Sequence, residues 1–322
     1  MSKPRILLTR RWTRSVENYL ASRYELTRNE QDMPLDAAQL AAALRDHDAV
    51  CPTVSDAVTA AVLEAPGRRA RILGNFGVGY NHIDVEAARR AGIVVTNTPD
   101  VLTDTTADLA ILLMLMAARR AGEGERELRA GRWIGWRPTH LLGEDVSGRT
   151  LGLIGFGRIA QATARRAHHG FGMRILYNSR RRAEAGVEAE CAAEYVAEVD
   201  ELLSRCDVVS LHCPGGAETF HLLDARRLAL LRPGAVLVNT ARGPVVDEKA
   251  LVEALKGGRI RAGLDVYEQE PRLAAGLAEL ENVVLLPHLG SATEQTRTAM
   301  GMRVASNLDA FFAGTAPPDR VV

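Results

Sequence analysis

The sequence predicts an α/β protein of two domains, each a parallel sheet with helices on both faces, and three observations carry that prediction. Short apolar runs alternate with stretches of helical spacing along the chain, the pattern of strands joined by helical crossovers. The stretch from Leu151 to Ala164, LGLIGFGRIAQATA, reads as a buried strand, a glycine turn and a helix in direct succession. At 322 residues the chain exceeds what one hydrophobic core ordinarily serves.

In order, Arg5 to Thr9 reads as a strand, Arg14 to Ser22 and Leu35 to Leu44 as helices, and Asp48 to Cys51 as a strand. Asp56 to Glu64 is expected to be a helix, Ala70 to Gly74 a strand, Ala87 to Ala91 a helix closed by Gly92, and Ile93 to Thr96 a strand. A first domain crossing is placed at Asn97-Thr98-Pro99. Thr105 to Arg120 is the most apolar helix; its unbroken run falls short of the ~20 residues a membrane span needs, so it reads as a packing or dimer helix. Beyond the glycine turn, strands are expected at Arg174 to Tyr177, Cys206 to Leu211, Ala235 to Asn239, Arg261 to Val266 and Val283 to Leu286. Helices are expected at Leu228 to Leu231 and Lys249 to Leu255 between them. With the strand of the turn itself, this gives six strands in the second domain. A second crossing lies at Pro287 to Ser291, and Glu294 to Phe312 is a long helix returning to the first domain. The boundaries are thus residues 1–99 with 288–322 for one domain and 100–287 for the other, with Pro317-Pro318 marking a loose tail.

Lys plus Arg and Asp plus Glu number 40 each, so the net charge is zero and no electrostatic footprint for nucleic acid or an anionic membrane is expected. Cys51, Cys191, Cys206 and Cys213 form no C-x-x-C pair; metal binding and a disulfide framework are not expected, and the thiols read as those of a reduced cytoplasmic protein. The first residues read as a strand followed by Arg10 and Arg11 rather than as a signal peptide.

In the glycine turn, Gly155 permits the sharp bend, Gly157 lets a pyrophosphate approach the backbone, and small Ala160 lets helix pack on strand. Free N–H groups and the positive end of a helix then face an anion, which points to a dinucleotide; without its flanking strand and helix the same spacing would be a plain tight turn. The end of the next strand selects the ribose. An acid ~20 residues past the glycines would bind a 2′-hydroxyl. Here stand Asn178-Ser179-Arg180-Arg181-Arg182, so a 2′-phosphate bound by Arg180, Arg181 and the Ser179 hydroxyl is expected, and NADP(H) is preferred over NAD(H), which stays possible. A solvated charge run is the alternative.

Three further stretches place reactive side chains at strand ends: Asn239 to Gly243 with Arg242, Gly263 to Pro271 with Glu270, and Leu286 to Thr293 with His288. Each has a bland alternative, as a surface arginine, a loop acid or a hydrogen-bonded histidine. Together they supply an anion binder, a carboxylate and an imidazole, the set that reduction of a keto acid requires.

With Asn75-Phe76-Gly77-Val78-Gly79-Tyr80-Asn81-His82-Ile83-Asp84, Val95 to Pro99, the glycine turn, Thr240 to Gly243 and Pro287 to Ala292 in this order, the chain resembles the D-isomer-specific 2-hydroxyacid dehydrogenases. Within that family it is most like the glyoxylate and hydroxypyruvate reductases, and the resemblance spans essentially the whole chain. It implies two Rossmann-like domains, the nucleotide domain inserted in the substrate domain, and a homodimer. It implies that Arg242 holds the substrate carboxylate and carbonyl, that His288 is the acid/base and that Glu270 partners it. Val78 and Gly79 are implied to give N–H groups to the carboxylate, and Trp136 to lie near the active-site mouth. Thr106, Gly155, Gly157, Arg158, Ile159, Ser179, Arg180, Arg181, Cys213, Pro214, Thr219, Thr240, Ala241, Asp265 and Gly290 are implied to contact the cofactor, Asp265 near the nicotinamide carboxamide. Glu270 in place of glutamine argues against formate as substrate. The reading is a reductase of small 2-keto acids; reductases of bulkier keto acids such as 2-ketogluconate or phenylpyruvate, and a dinucleotide-sensing corepressor, are the alternatives.

Overall fold

A computed structural model describes residues 3–322. In chain order its elements are β1 (Arg5–Leu8), α1 (Arg14–Arg23), β2 (Glu25–Arg28), α2 (Ala37–Asp46), β3 (Ala49–Cys51), α3 (Ala60–Leu63), β4 (Ile72–Gly74), α4 (Val85–Arg90) and β5 (Val94–Thr96). There follow α5 (Thr103–Ala118), α6 (Ala121–Arg129), β6 (Thr150–Ile154), α7 (Arg158–Phe171), β7 (Arg174–Asn178), α8 (Ala185–Ala189), β8 (Glu194–Tyr195), α9 (Val199–Arg205) and β9 (Val208–Leu211). The last are α10 (Ala225–Leu230), β10 (Val236–Asn239), α11 (Glu248–Lys256), β11 (Arg261–Leu264), β12 (Val283–Leu285) and α12 (Glu294–Phe312). The chain forms two compact units, residues 1–102 with 292–322, and residues 103–291.

The first unit is a parallel five-stranded sheet in the order β2-β1-β3-β4-β5. Its inner strands β1, β3 and β4 are buried on both faces, as the unbroken apolar runs Ile6-Leu7-Leu8 and Ala49-Val50-Cys51 require. α12 packs Val304 and Leu308 over β4, where Gly74 leaves room: a Cβ there would lie 2.7 Å from Val304 Cγ1. The second unit is a parallel seven-stranded sheet in the order β12-β11-β10-β9-β6-β7-β8. Strand order reverses between β6 and β9, the position in an open α/β sheet where ligands bind beyond the strands' carboxyl ends. α5 covers this sheet through Ala110, Leu113, Met114 and Ala117, so the apolar helix is a packing helix of its own unit.

Several expectations are corrected. β2 is an edge strand whose residues Glu25-Leu26-Thr27-Arg28 alternate between exposed and half-buried, too polar to read as a strand until β1 supplies its ladder. The second unit has seven strands rather than six, because two-residue β8 pairs with β7. α6 forms despite Gly122 and Gly124, tied by Arg126 Nε to Glu281 at 2.9 Å. The helix expected over Asp56 to Glu64 shrinks to α3, since Asp56 instead accepts from Thr9 Oγ1 at 2.6 Å and Thr53 N at 2.8 Å. The tail is not loose: Val321 N donates to Val95 O at 2.7 Å, and Asp319 accepts two hydrogen bonds of 2.7 Å from Arg303.

Candidate active site

The glycine turn meets the dinucleotide expectation in backbone terms. Gly155 has φ +87° and lies against the start of the loop after β9, where a Cβ would stand 2.6 Å from Cys213 N. Gly157, the N-cap of α7, faces open space with no side chain capping the helix, while Ala160 is fully buried against the sheet. The N-terminal N–H groups of a four-turn helix are thereby left to a ligand, with a cradle that a side chain at 155 would fill. Arg158 and Ile159 open that helix. Among the described residues, the buried Thr240 Oγ1 beyond β10 lacks a hydrogen-bond partner.

At the end of β7, Ser179 Oγ donates to Arg181 O, and Arg182 is engaged by Glu188 at 2.9 Å. Arg180 is almost fully exposed, its guanidinium 3.6 Å from Glu218. Cys213 is buried, which pushes its thiol up to about 11, and Thr219 Oγ1 closes the following loop onto Pro214 O at 2.7 Å. All four cysteines are free and buried.

Past β10, Asn239 shapes the turn that presents Arg242: its Oδ1 accepts from Ala241 N and its Nδ2 donates to Arg242 O, both at 3.0 Å. Gly215 makes room for the arginine stem, since a Cβ there would be 2.9 Å from Arg242 Cγ. Burial holds the Arg242 guanidinium below its ordinary value and the Glu270 charge opposes that, yet a guanidinium remains a cation.

His288 Nδ1 lies 2.8 Å from Glu270 Oε2, with each side chain about a third exposed. An ionised carboxylate only accepts, so Nδ1 carries the hydrogen and Nε2 is left for other chemistry. Glu270 Oε1 also accepts from Tyr267 N at 3.1 Å. Burial raises the Glu270 carboxyl, but the hydrogen bond and charge of His288, with Tyr267 N and Arg242, outweigh it and hold the group below its ordinary 4.5. His288 has φ +54°, unfavourable for a residue with a Cβ. Asp265 keeps it there. Its carboxylate accepts from Leu289 N at 2.6 Å and Gly290 N at 2.8 Å, its carbonyl takes His288 N at 3.0 Å, and Thr106 Oγ1 donates to Gly290 O at 2.9 Å. Asp265 is buried, and this raises its carboxyl despite those two donors and the nearby His288.

The second unit therefore brings Arg242, Glu270, His288, Asp265, Thr106 and Gly290 to the carboxyl ends of neighbouring strands. Trp136 lies in an exposed loop of the same unit, 82% accessible, beside exposed Trp133 and Ile134. In the first unit, Asn75 Nδ2 donates to Gly77 O and Gly79 O at 3.0 and 3.1 Å, and Asn97 Nδ2 to Val78 O at 2.9 Å. With those carbonyls held, the planar peptides turn the N–H groups of Val78 and Gly79 the opposite way. His82 supports Asn75 from 2.9 Å. Sequence reasoning assigned no part to Asn75, Asn97, Gly215 or Asn239; the local signal for the three asparagines was their place inside the singled-out stretches, and Gly215 had none.

His212 is half-buried, and its desolvation lowers its value to about 4. His221, Asp247 and Glu268 bring three donor atoms within 4.8 Å of one another, but Asp247 caps α11 and Glu268 bonds both His221 and Glu248 N. These are contacts within the protein's own scaffold. No helix among the described residues is long and apolar enough to cross a membrane.

Comparison with known proteins shows the family. Residues 111–290 match the profile described as the NAD binding domain of D-isomer specific 2-hydroxyacid dehydrogenases. The chain is 47% identical to a glyoxylate reductase of Thermococcus onnurineus, over 99% of this chain and 96% of that one. It is 46% identical to the glyoxylate reductase of Pyrococcus furiosus, over 99% and 95%. The solved structure of an NADPH-dependent glyoxylate/hydroxypyruvate reductase from Sinorhizobium meliloti, in complex with NADP and malonate, superposes with a TM-score of 0.87 at 39% identity, covering 100% of this chain and 97% of that one. The chain belongs to the D-isomer specific 2-hydroxyacid dehydrogenase family and is an NAD(P)-dependent oxidoreductase.

Proposed function

We propose that the protein is an NADPH-preferring reductase of small 2-keto acids, glyoxylate and hydroxypyruvate first, giving glycolate and D-glycerate. The observation that carries this reading is the 2.8 Å pair of His288 with Glu270 beside Arg242, in the unit that matches the NAD-binding profile. A reduced dinucleotide, when bound, would supply the hydride for the carbonyl carbon. His288 gives the proton on Nε2 to the carbonyl oxygen, so that no free alkoxide accumulates, and Glu270 stabilises and orients the imidazolium that does so. Arg242 binds the substrate carboxylate and polarises the carbonyl, and the Val78 and Gly79 N–H groups add donors for the carboxylate. The names of the relatives support glyoxylate, and the cofactor named for the Sinorhizobium enzyme supports NADPH.

On this reading the second unit binds the dinucleotide: its pyrophosphate at Gly155, Gly157, Arg158 and Ile159, its 2′-phosphate at Ser179, Arg180 and Arg181. Cys213, Pro214 and Thr219 border the adenosine, while Thr106, Thr240, Ala241, Asp265 and Gly290 border the nicotinamide end. The first unit holds substrate. We further read the enzyme as a cytoplasmic homodimer with Trp136 near the substrate; the free cysteines and the exposed Trp133, Ile134 and Trp136 support this.

Glyoxylate, hydroxypyruvate, pyruvate, phenylpyruvate and 2-ketogluconate, each with NADPH and with NADH, form the testing panel. Highest kcat/KM for glyoxylate or hydroxypyruvate with NADPH is expected, with Arg180→Ala and Arg181→Ala costing NADPH about tenfold each and NADH little. Preference for a bulky keto acid, or equal use of both cofactors, overturns the corresponding part.

A further inference from the structure

The loop that carries Glu270 runs from Tyr267 to Ala274 and is fastened at both ends by one side chain. Glu248, the first residue of α11, is 5% exposed. Its Oε1 accepts from Glu268 N at 2.6 Å and its Oε2 from Ala274 N at 3.1 Å, so its two oxygens bracket the segment that holds Glu270. Glu268 returns the bond, its Oε2 accepting from Glu248 N at 3.3 Å, while its Oε1 meets His221 Nε2 at 3.1 Å. Beneath the bracket, Gly243 is so close to the Tyr267–Glu268 peptide that a Cβ would fall 1.8 Å from Tyr267 C. The turn bearing Arg242 and the loop bearing Glu270 are thus locked together.

A buried carboxylate is a costly way to hold a loop. Among the described residues Glu248 forms no ion pair; burial raises its carboxyl, the charges of Glu268 and Glu270 add to that, and only the two loop N–H groups oppose it. An apolar side chain at the start of α11 would pack without this penalty. The arrangement is favourable where the position of the loop matters more than stability, and on the reading above the loop has one task, to set Glu270 against His288.

We propose that Glu248 is a positioning residue of the reaction, fixing the Glu270 loop so that Glu270 reaches His288. This rests on the assignment of Glu270 and His288 as the proton-donating pair. Glu248 touches neither substrate nor dinucleotide in that assignment; it acts through the loop. The charged groups facing the pair are Arg242 and Asp265, and those facing Glu248 are Glu268 and Glu270.

The test compares Glu248→Ala, Glu248→Gln and Glu270→Gln, measuring kcat, KM, NADPH binding by fluorescence titration, and the acid limb of kcat against pH. Glu248→Ala is expected to lower kcat on the order of tenfold, leave NADPH affinity within about twofold, and move the acid limb to higher pH. The limb moves because Glu270, drawn away from His288, loses what holds it low. Glu248→Gln keeps one acceptor and is expected to fall between. A folded Glu248→Ala with unchanged kcat and acid limb overturns the inference, even with a lower melting temperature. If Glu248→Ala does not fold, an unmoved limb in Glu248→Gln does the same. An unaffected Glu270→Gln would instead remove the catalytic assignment beneath it.

Discussion

Replacing Glu270 by Gln tests the pairing on which the chemistry depends, because Gln keeps the shape and one acceptor while removing the charge. At 2.8 Å the attraction between the carboxylate and an imidazolium is about 1.5 kcal/mol at the permittivity of water and about 6 kcal/mol at an effective permittivity of 20. Both side chains are about a third exposed, so solvent screening brings the value toward the lower end, in the ~1.5–3 kcal/mol range of hydrogen bonds to charged groups. The amide retains a neutral hydrogen bond, which leaves a net loss of about 1–2 kcal/mol, or about 5–30-fold in the population of productive imidazolium. Steady-state reduction of glyoxylate at neutral pH should therefore show kcat lowered by about that factor, with NADPH affinity unchanged. The pH dependence has a definite sign. Glu270 is held below 4.5, so its contribution is complete above that value and is lost only as pH falls through the lowered one. The acid limb that Glu270 contributes is therefore expected below the ordinary carboxylate range, and Glu270→Gln should lack it. A kcat equal to that of the native enzyme across the profile would refute the reasoning.

Two further expectations concern the scaffold. Gly243→Ala puts a Cβ 1.8 Å from the Tyr267 carbonyl, a backbone clash that no rotamer relieves, so thermal denaturation should show a loss of several kcal/mol and the surviving fold should have lost turnover; near-native stability would contradict the geometry. Arg303→Ala takes two donors from the carboxylate of Asp319, whose side chain is 3% exposed and otherwise has Asn307 at 2.9 Å; with Arg303 itself 39% exposed, the change should cost about 2–3 kcal/mol in urea unfolding. A change below about 1 kcal/mol would mean that the tail is not anchored there.

What the sequence made legible was local. The glycine turn could be read because the strand, bend and helix are contiguous, and Arg242, Glu270 and His288 because parallel sheets gather their strand ends on one side. The edge strands escaped notice for a related reason: Glu25 to Arg28 and Glu194-Tyr195 have no apolar run of their own and become strands only by pairing. Asp56 resembles part of a helix until Thr9, 47 residues away, takes its carboxylate. Distance along the chain also hid the supports of the site. Glu248 lies 26 residues from Ala274, and Asp265 lies 25 from Gly290. Gly243 reads as a turn glycine, although its absent side chain is required by a peptide more than twenty residues later. The order of these groups around Glu270 and His288 is a tertiary fact.

The central claim is that His288 delivers the proton during reduction of a small 2-keto acid. It is tested most directly by following NADPH consumption with glyoxylate for the native protein and for His288→Ala, with NADPH binding measured on both. The account predicts turnover by the native enzyme and a loss of about 10²–10⁴-fold in the variant with dinucleotide affinity retained. Native turnover matched by His288→Ala, or no turnover by the native protein with any small 2-keto acid, would contradict it.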